Sequence, residues 1–384
     1  MNSSSLPPVE SLPFGHAAVL GGGLMGRLMA LALAQAGCRV DLYEAGSAQA
    51  EGAAARVAAA MLAPLAESAV APHSVVRMGH YALTRWPQLL ATLTHAAEPV
   101  FFQREGTLVL WHRQDAPEAH RLARVLARTA EAVPQLPAMQ SVNGADIAAL
   151  EPSLGQRFAQ GLFLPQEGQL DNRGLLEALL AALQASAAVT LHWQSPRQPA
   201  DFQPGTRGQP DWVIDCRGLG ARAQWPALRG VRGEVIRVHA PDVSLRRPTR
   251  LVHPRYPLYI APKPGGLFVI GATEIESDDM SPASVRSTLE LLSAAYAVHP
   301  GFGEARILEV ATQCRPTLPD NLPLLRQTHL RVLEINGLYR HGFMISPALL
   351  DVAMQHLAHG HSTLAPQFDL APALHAAAAL ESTP

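Results

Sequence analysis

The feature that most constrains the fold is a glycine-rich turn between a short apolar run and an apolar helix near the N-terminus. Residues 16–20 (HAAVL) predict a buried strand, and residues 21–26 (GGGLMG) follow as G-x-G-x-x-G. We expect a helix over 24–36 and a second strand over 39–43 that is closed by Glu44. This order and spacing predict the opening β-α-β unit of a dinucleotide-binding domain.

Each glycine of this turn, and the acid that follows the second strand, has a separate physical task. Gly21 permits a tight turn, Gly23 lets a pyrophosphate approach the backbone, and Gly26 lets the helix pack on its strand. The start of the helix presents free N–H groups and the positive end of its dipole to the phosphates. Glu44 can accept hydrogen bonds from ribose hydroxyls and would repel a 2′-phosphate, which favours FAD or NAD over NADP.

Composition limits the class of protein and of partner. The 384 residues suffice for two domains, and 16% charged against 48% hydrophobic residues is typical of a packed globular chain. The net charge of -2 gives no reason to expect nucleic acid or a membrane as partner. Three widely spaced cysteines predict reduced thiols and a cytoplasmic location, with neither a disulfide framework nor a zinc site. Residues 1–15 lack the pattern of a secretory signal and are expected to form a flexible leader.

Two segments further along the chain are candidates for cofactor contacts. The alanine-rich stretch 53–67 contains Ala59 and Met61, and its small residues permit close approach to a flat ligand. A simple alanine-rich helix is the alternative for this stretch. Residues 211–220 predict a buried strand that runs into glycines, and Gly218 is the candidate contact there.

The second half of the chain predicts another sheet and a final helix. Strand-like runs over 232–238, 256–260 and 267–273 predict an antiparallel sheet, and hence a second domain. For the final helix, Ser346 is the expected N-cap and Pro347 the first helical residue. Three histidines follow at the end of this helix, where imidazoles suit the negative end of the dipole, and no metal site is predicted; they are His356, His359 and His361.

Taken together, these pieces resemble the D-amino-acid oxidase superfamily of flavoproteins, and most closely the glycine oxidases of thiamine biosynthesis. The resemblance covers nearly the whole chain after the leader. The residues that carry it are 21–26 with Glu44, 58–62 (AAAML), 106–108 (GTL), 150–152 (LEP), 231–234 (VRGE), 259–262 (YIAP), 271–273 (GAT), 315–316 (RP) and 337–342 (GLYRHG).

The resemblance implies an α/β fold with an α+β second domain. A Rossmann-like FAD-binding domain would be discontinuous, built from residues 1–80, 140–220 and 305–384. An antiparallel-sheet substrate-binding domain would take residues 81–139 and 221–304 and cover the flavin.

The resemblance also implies a reaction. FAD would accept a hydride from the α-carbon of glycine or a similar small amino acid, giving an imine for thiazole synthesis, and oxygen would reoxidise the flavin. Sarcosine and small D-amino acids stay open as substrates, and homo-oligomers occur among the relatives. One alternative is a D-amino-acid or sarcosine dehydrogenase with another electron acceptor. A flavin-binding partner protein without turnover is the other.

By the same resemblance, Arg315 would bind the substrate carboxylate through both oxygens, and the hydroxyl of Tyr259 would support it. Arg340 falls at a second arginine near the pocket, where a structural salt bridge is the alternative. The final helix would aim its positive end at the flavin, with Gly342 and Met344 as cofactor contacts.

Three positions depart from the pattern of the relatives. Arg56 stands where they usually have a small polar residue. Glu274 stands where glycine oxidases can carry an apolar pocket residue, and its carboxylate would either bind the substrate ammonium or face solvent. Cys314, beside Arg315, is expected to be a small buried hydrophobe and not a site of covalent flavin attachment.

Overall fold

Strands and helices alternate through most of the chain in the computed structural model, which describes residues 12–155, 157–252, 258–329 and 331–370. The strands are β1 (His16–Leu20), β2 (Arg39–Tyr43), β3 (Met61–Leu62), β4 (Phe102–Gln103), β5 (Thr107–Leu110), β6 (Gln140–Asn143), β7 (Gln160–Leu164), β8 (Gly168–Leu170), β9 (Val189–His192), β10 (Trp212–Asp215), β11 (Arg229–His239), β12 (Thr249–Leu251), β13 (Leu258–Lys263), β14 (Leu267–Gly271), β15 (Arg306–Thr317), β16 (Leu324–His329) and β17 (Val332–Asn336). The α-helices are α1 (Leu24–Gln35), α2 (Ala54–Val57), α3 (Pro64–Glu67), α4 (His73–Ala91), α5 (Ala116–Ala132), α6 (Gly144–Leu150), α7 (Asn172–Ala185), α8 (Val285–Val298) and α9 (Gly342–His359).

The first sheet has six strands in the order β16-β17-β10-β1-β2-β9. All neighbours pair in parallel except β16 and β17. The central strand β1 is buried along residues 17–20, which explains its uninterrupted apolar sequence. Helices α1, α7 and α9 pack together on this sheet. The turn between β1 and α1 therefore lies at the carboxyl ends of the central strands, where open α/β sheets bind ligands.

The second sheet has eight strands in the order β15-β11-β14-β13-β12-β5-β7-β6. Its neighbours are antiparallel except β5 and β12. The predicted α/β fold with an antiparallel second sheet is thus confirmed. Of the predicted strand over 256–260, residues 256 and 257 lie outside the described residues, as do most of the predicted leader and the end of the chain.

The pairing of three strands differs from the predicted domain boundaries at residues 140 and 305. β15 pairs with β11 along its length, and β6 and β7 extend the same sheet. These strands belong to the second sheet, although the prediction assigned 140–220 and 305–384 to the nucleotide domain. Helix α4 shows the opposite difference. The prediction assigned residues 81–139 to the substrate-binding domain, but Leu83 and Trp86 of α4 pack into the core of the first sheet. The apolar sequence of a strand does not indicate which sheet the strand joins, because strand pairing depends on contacts between residues that are distant in sequence.

The alanine-rich stretch does not form one helix. It is divided into α2, β3 and α3, and Ala60 has a left-handed backbone with φ 54°. Met61 and Leu62 pair with β8 in a small sheet of order β3-β8-β4. The alternative of one simple alanine-rich helix over residues 53–67 therefore does not agree with the structure.

Helix α9 begins earlier than the sequence predicted. Gly342 is its first residue, so Ser346 is not the N-cap and Pro347 lies inside the helix. Pro347 has no N–H for the carbonyl of Phe343, four residues earlier. The indole Nε1 of Trp86 on α4 donates to that carbonyl instead, at 2.8 Å. This replacement hydrogen bond lets the helix continue through the proline, which local sequence patterns do not reveal.

No helix in the described ranges is long and apolar enough to cross a membrane.

Substitutions of Trp86 test how much the contact between α4 and α9 stabilises the fold. Trp86→Phe should lower the free energy of unfolding by about 1–3 kcal/mol, because the buried carbonyl of Phe343 loses its donor. Trp86→Ala should cost about 3–5 kcal/mol, since the indole is fully buried. Urea unfolding at fixed FAD concentration measures both. Leu289→Ala, at a side chain that is 59% exposed, is the control and should change stability by less than about 0.5 kcal/mol; equal losses would show that the Trp86 contact is unimportant.

Candidate active site

The glycine turn after β1 has the shape that a pyrophosphate requires. Gly21 has φ +98°, and a Cβ on Gly26 would lie 1.8 Å from the carbonyl oxygen of Gly21. A Cβ on Gly23 would meet nothing closer than 3.6 Å, so the space beside it is open. No side chain caps the N-terminus of α1, and its first turn contains no acid. The free N–H groups of this helix therefore suit an anion.

Glu44 and Arg27 hold this turn from opposite sides. The Glu44 carboxylate accepts hydrogen bonds from the N–H groups of Gly22 at 2.5 Å and Gly46 at 2.7 Å. Arg27 is almost fully buried and donates to the carbonyls of Gly22 and Ala48 at 2.7 and 2.6 Å. Burial lowers the pKa of Arg27 to about 10, so the guanidinium stays charged at neutral pH. Sequence reasoning missed Arg27, because an arginine after a glycine motif is normally solvent-exposed.

The candidate contacts from the alanine-rich stretch lie where the two sheets meet. Ala59 and Met61 pack against an apolar patch of the second sheet made by three buried side chains, Val235, Ala261 and Val269. Gly218 follows β10 with φ +55°, and a Cβ there would lie 3.1 Å from Pro316 Cγ. Residues predicted to contact the cofactor thus adjoin the strand that carries Arg315.

A buried lysine fixes the alanine-rich stretch to the second sheet. Lys263 Nζ donates to the carbonyls of Ala59 at 3.1 Å and Leu170 at 2.8 Å, and to Gln169 Oε1 at 2.9 Å. Burial lowers the pKa of Lys263 to about 7. No local pattern in the sequence indicates this role, because a lysine at the end of a strand usually faces solvent.

The first turn of α9 offers a second place for an anionic or carbonyl group. No side chain caps it, it contains no acid, and a Cβ on Gly342 would have open space around it. Met344 is 2% exposed, and its side chain packs on Gly79 of α4. Of the two predicted contacts, Met344 can therefore contribute only backbone atoms, whereas Gly342 leaves room for a ligand.

Arg340 lies between two carboxylates contributed by different parts of the fold. Its Nε is 3.0 Å from Glu67 Oε2, and its Nη1 donates to Glu274 Oε2 at 2.5 Å. Glu274 Oε1 also accepts a hydrogen bond from the Tyr339 hydroxyl at 2.6 Å. Glu67 follows β3, whereas Glu274 follows β14 of the second sheet. Arg340 consequently ties the two halves of the site together, and both carboxylates raise its pKa although burial opposes this.

Glu67 is the most enclosed charge in this cluster. The Tyr259 hydroxyl donates to its Oε1 at 3.0 Å, and His341 Nδ1 is 3.5 Å from its Oε2. Burial favours the neutral acid, but Arg340, His341 and Arg250 with the Tyr259 hydroxyl hold the pKa of Glu67 below its ordinary value. Sequence reasoning missed Glu67; a single acid at the end of an apolar run was the available signal.

Arg315 has a different environment from Arg340. It lies on β15 and donates to the backbone carbonyls of Arg232 at 3.3 Å and Thr273 at 3.1 Å. Within the described part of the chain, no carboxylate pairs with it. Gly233 makes room for it, because a Cβ there would lie 2.5 Å from the guanidinium. Burial lowers the pKa of Arg315 to about 10, so it carries its charge at neutral pH without a counter-ion.

These features define what the site can bind. A partly buried guanidinium without a carboxylate partner among the described residues favours an anion that brings its own two oxygens. The glycine turn, the acid after β2 and the uncapped start of α9 fit the pyrophosphate, ribose and isoalloxazine carbonyl of FAD.

Comparison with known proteins decides the family. The model of the family described as FAD dependent oxidoreductase matches residues 16–351. The chain belongs to this FAD-dependent oxidoreductase family.

Its relatives include biosynthetic oxidoreductases and oxidases. This FAD-dependent oxidoreductase is 41% identical over 336 residues to the Rhizobium etli protein named thiamine biosynthesis oxidoreductase ThiO, covering 86% of this chain and 93% of the relative. It is 26% identical to the glycine oxidase of Geobacillus kaustophilus over 379 residues, which is 92% of this chain and 95% of that protein.

Solved structures share its fold. The crystal structure of glycine oxidase from Geobacillus kaustophilus matches with a TM-score of 0.76 at 24% identity, covering 92% of this chain and 98% of that one. Glycine oxidase from Bacillus cereus matches with a TM-score of 0.76 at 20% identity, covering 93% and 98%.

The packing of the glycine turn predicts a specific effect on the cofactor. Gly26→Ala should abolish FAD retention, because its Cβ would meet the Gly21 carbonyl at 1.8 Å and displace the turn. The ratio of flavin to protein absorbance after gel filtration measures retention. Gly52→Ala is the control, since its Cβ would meet no atom within 4 Å. Full retention by Gly26→Ala would contradict this role of the turn.

The lowered pKa of His341 leads us to expect that the folded protein loses stability in acid. Burial lowers its pKa to about 4, against an ordinary 6.5, so between these values the unfolded chain binds the proton and the folded chain does not. Stability is therefore lost as the pH falls from about 6.5 to 4, by about 3 kcal/mol from this residue. His341→Gln should remove that part of the pH dependence in urea unfolding, whereas His120→Gln, at an exposed histidine, should follow the wild type. If the free energy of unfolding of all three proteins changed with pH in the same way, the assignment of this pH dependence to His341 would be wrong.

Proposed function

We propose that this protein oxidises glycine, or a similarly small amino acid, to its imine with oxygen as electron acceptor, for the thiazole branch of thiamine biosynthesis. The observation that supports the proposal is the partly buried guanidinium of Arg315, which pairs with no carboxylate among the described residues and lies beside the predicted FAD contacts. The names of the Rhizobium etli and Geobacillus kaustophilus relatives agree with it.

FAD, when bound, supplies the two-electron acceptor for the substrate α-carbon. The side chains of the chain itself bind and orient the substrate. Arg315 pairs with the substrate carboxylate, and Tyr259, whose hydroxyl is held by Glu67, supports the same end of the pocket. Arg315 is partly buried, and the reduced access of water strengthens this ion pair. No side chain is assigned as a general base. When the substrate amine is already neutral, the α-carbon can lose its hydride without prior removal of a proton.

Several neighbouring assignments belong to the same proposal. Arg315, Tyr259 and Arg340 form the substrate site. The cofactor contacts are Gly21, Gly23, Gly26, Glu44, Ala59, Met61, Gly218, Gly342 and the backbone of Met344. The three free thiols favour a cytoplasmic location, and we propose a homo-oligomer by analogy with the family.

Anaerobic bleaching of the bound flavin tests the substrate. Glycine, sarcosine, D-alanine and D-proline are added in turn, and air is then admitted. Bleaching by glycine, with recovery and peroxide release in air, supports the proposal. Bleaching that air does not reverse favours a dehydrogenase with another acceptor. A flavin that none of these amines reduces would favour a binding protein and exclude the proposed oxidase activity.

Arg315 gives the sharpest single-residue prediction. Arg315→Ala should raise the glycine concentration for half-maximal flavin reduction about 100-fold, because the substrate carboxylate loses charge-assisted hydrogen bonds. Arg315→Lys should raise it about tenfold, since the charge stays but the two-pronged geometry is lost. Arg306→Ala, at an exposed residue of the same strand, is the control. Equal reduction by wild type and Arg315→Ala would remove Arg315 from the site.

A further inference from the structure

The pocket beside Arg315 contains a carboxylate of the protein's own. Glu274 follows Thr273, whose carbonyl accepts a hydrogen bond from Arg315. One oxygen of Glu274 accepts from the Tyr339 hydroxyl at 2.6 Å, and the other accepts from Arg340 Nη1 at 2.5 Å. A small-amino-acid oxidase needs one guanidinium for its substrate carboxylate, and Arg315 supplies it. Arg340 is a second guanidinium beside the same pocket, and Glu274 occupies its Nη1.

Of the two carboxylates on Arg340, Glu274 is the one that a ligand can replace. The Glu67 side chain is 7% exposed and is also held by Tyr259 and His341. The Glu274 side chain is 33% exposed and is held by Tyr339 and Arg340. Glu67 therefore belongs to the enclosed side of the cluster and Glu274 to its open side.

We propose that Glu274 is a specificity-determining residue: its carboxylate occupies the Arg340 position that the second carboxylate of a dicarboxylic amine would take. It thereby restricts the site to amino acids with a single carboxylate. This inference rests on the proposed function, because it concerns the same pocket. It also answers the question left by the sequence, where Glu274 would either bind the substrate ammonium or face solvent.

Charge balance supports this assignment. Among the described residues, Arg315, Arg340 and Arg250 bring three positive charges to the cluster, and Glu67 and Glu274 bring two negative charges. One substrate carboxylate on Arg315 adds a single negative charge. A second carboxylate would have to share Arg340 with Glu67 and Glu274, and three carboxylates around one guanidinium repel each other in a partly buried site. With Glu274 neutral, Arg340 has only Glu67 as partner and can accept a ligand carboxylate.

Ligand binding to the FAD-loaded protein tests this directly. Acetate reports on Arg315 alone, while malonate and succinate present two carboxylates at different separations. Their dissociation constants are measured from changes in flavin absorbance. In Glu274→Gln, the affinity for malonate or succinate relative to acetate should rise about tenfold or more over wild type. In flavin reduction, the rate with iminodiacetate or D-aspartate relative to glycine should rise in the same variant.

Three further variants separate charge from space and from general damage. Glu276→Gln removes an exposed carboxylate two residues away that pairs with Arg229, and both ratios should stay at the wild-type value. Tyr339→Phe removes the other partner of Glu274 but leaves its pair with Arg340, so the ratios should change little. Glu274→Ala should raise them as Glu274→Gln does. A rise in Glu274→Ala alone would show that volume and not charge excludes dicarboxylates, and would overturn the proposal.

The failure of this inference differs from failure of the proposed function. If glycine does not reduce the wild-type flavin, the proposed function fails, but the acetate and dicarboxylate ratios still test Glu274. If glycine reduces it and the dicarboxylate ratios are unchanged in both Glu274 variants, the inference alone is overturned. A rise of the same size in Tyr339→Phe would also overturn it, because Arg340 remains paired there.

Discussion

The site depends on one guanidinium held between two carboxylates. Arg340 precedes α9 on the nucleotide side, Glu67 ends the short helix α3 of the alanine-rich stretch, and Glu274 follows β14 of the second sheet. A buried arginine costs much desolvation free energy unless its partners are close and well oriented. Here the partners belong to separate segments, so the three must assemble together. The ion pairs therefore join the second sheet to the segments that carry the predicted cofactor contacts.

Arg315 shows how the fold can keep a charge available for a ligand. Its strand pairs with β11, where Gly233 leaves the room that the guanidinium fills. Among the residues that the structure describes, its N–H groups donate to backbone carbonyls. Carbonyl oxygens orient the side chain without neutralising it. The neighbouring Arg340 already contacts two carboxylates, so Arg315 is the arginine of the two whose charge is left available for a ligand.

The sequence was sufficient for features that depend on local patterns. The glycine turn and Glu44 lie where the spacing of the dinucleotide-binding pattern puts them. It was insufficient where the partner is distant in the chain. The sheet of β15, the enclosure of Glu67 and the burial of Lys263 depend on contacts across many residues. The start of α9 was misplaced because serine followed by proline is typical of a helix start, while the compensating indole is more than 250 residues away.

That indole also has an optical consequence. Trp86 is fully buried, and its N–H is fixed to the carbonyl of Phe343, one residue beyond Gly342 at the start of α9. Indole emission depends on the hydrogen bond and the polarity around the ring. A displacement of this turn changes that hydrogen bond directly, so the chain contains an intrinsic fluorophore attached to the start of α9. The chain has five tryptophans, so the wavelength of Trp86 emission can report on the position of this turn once the other four are replaced.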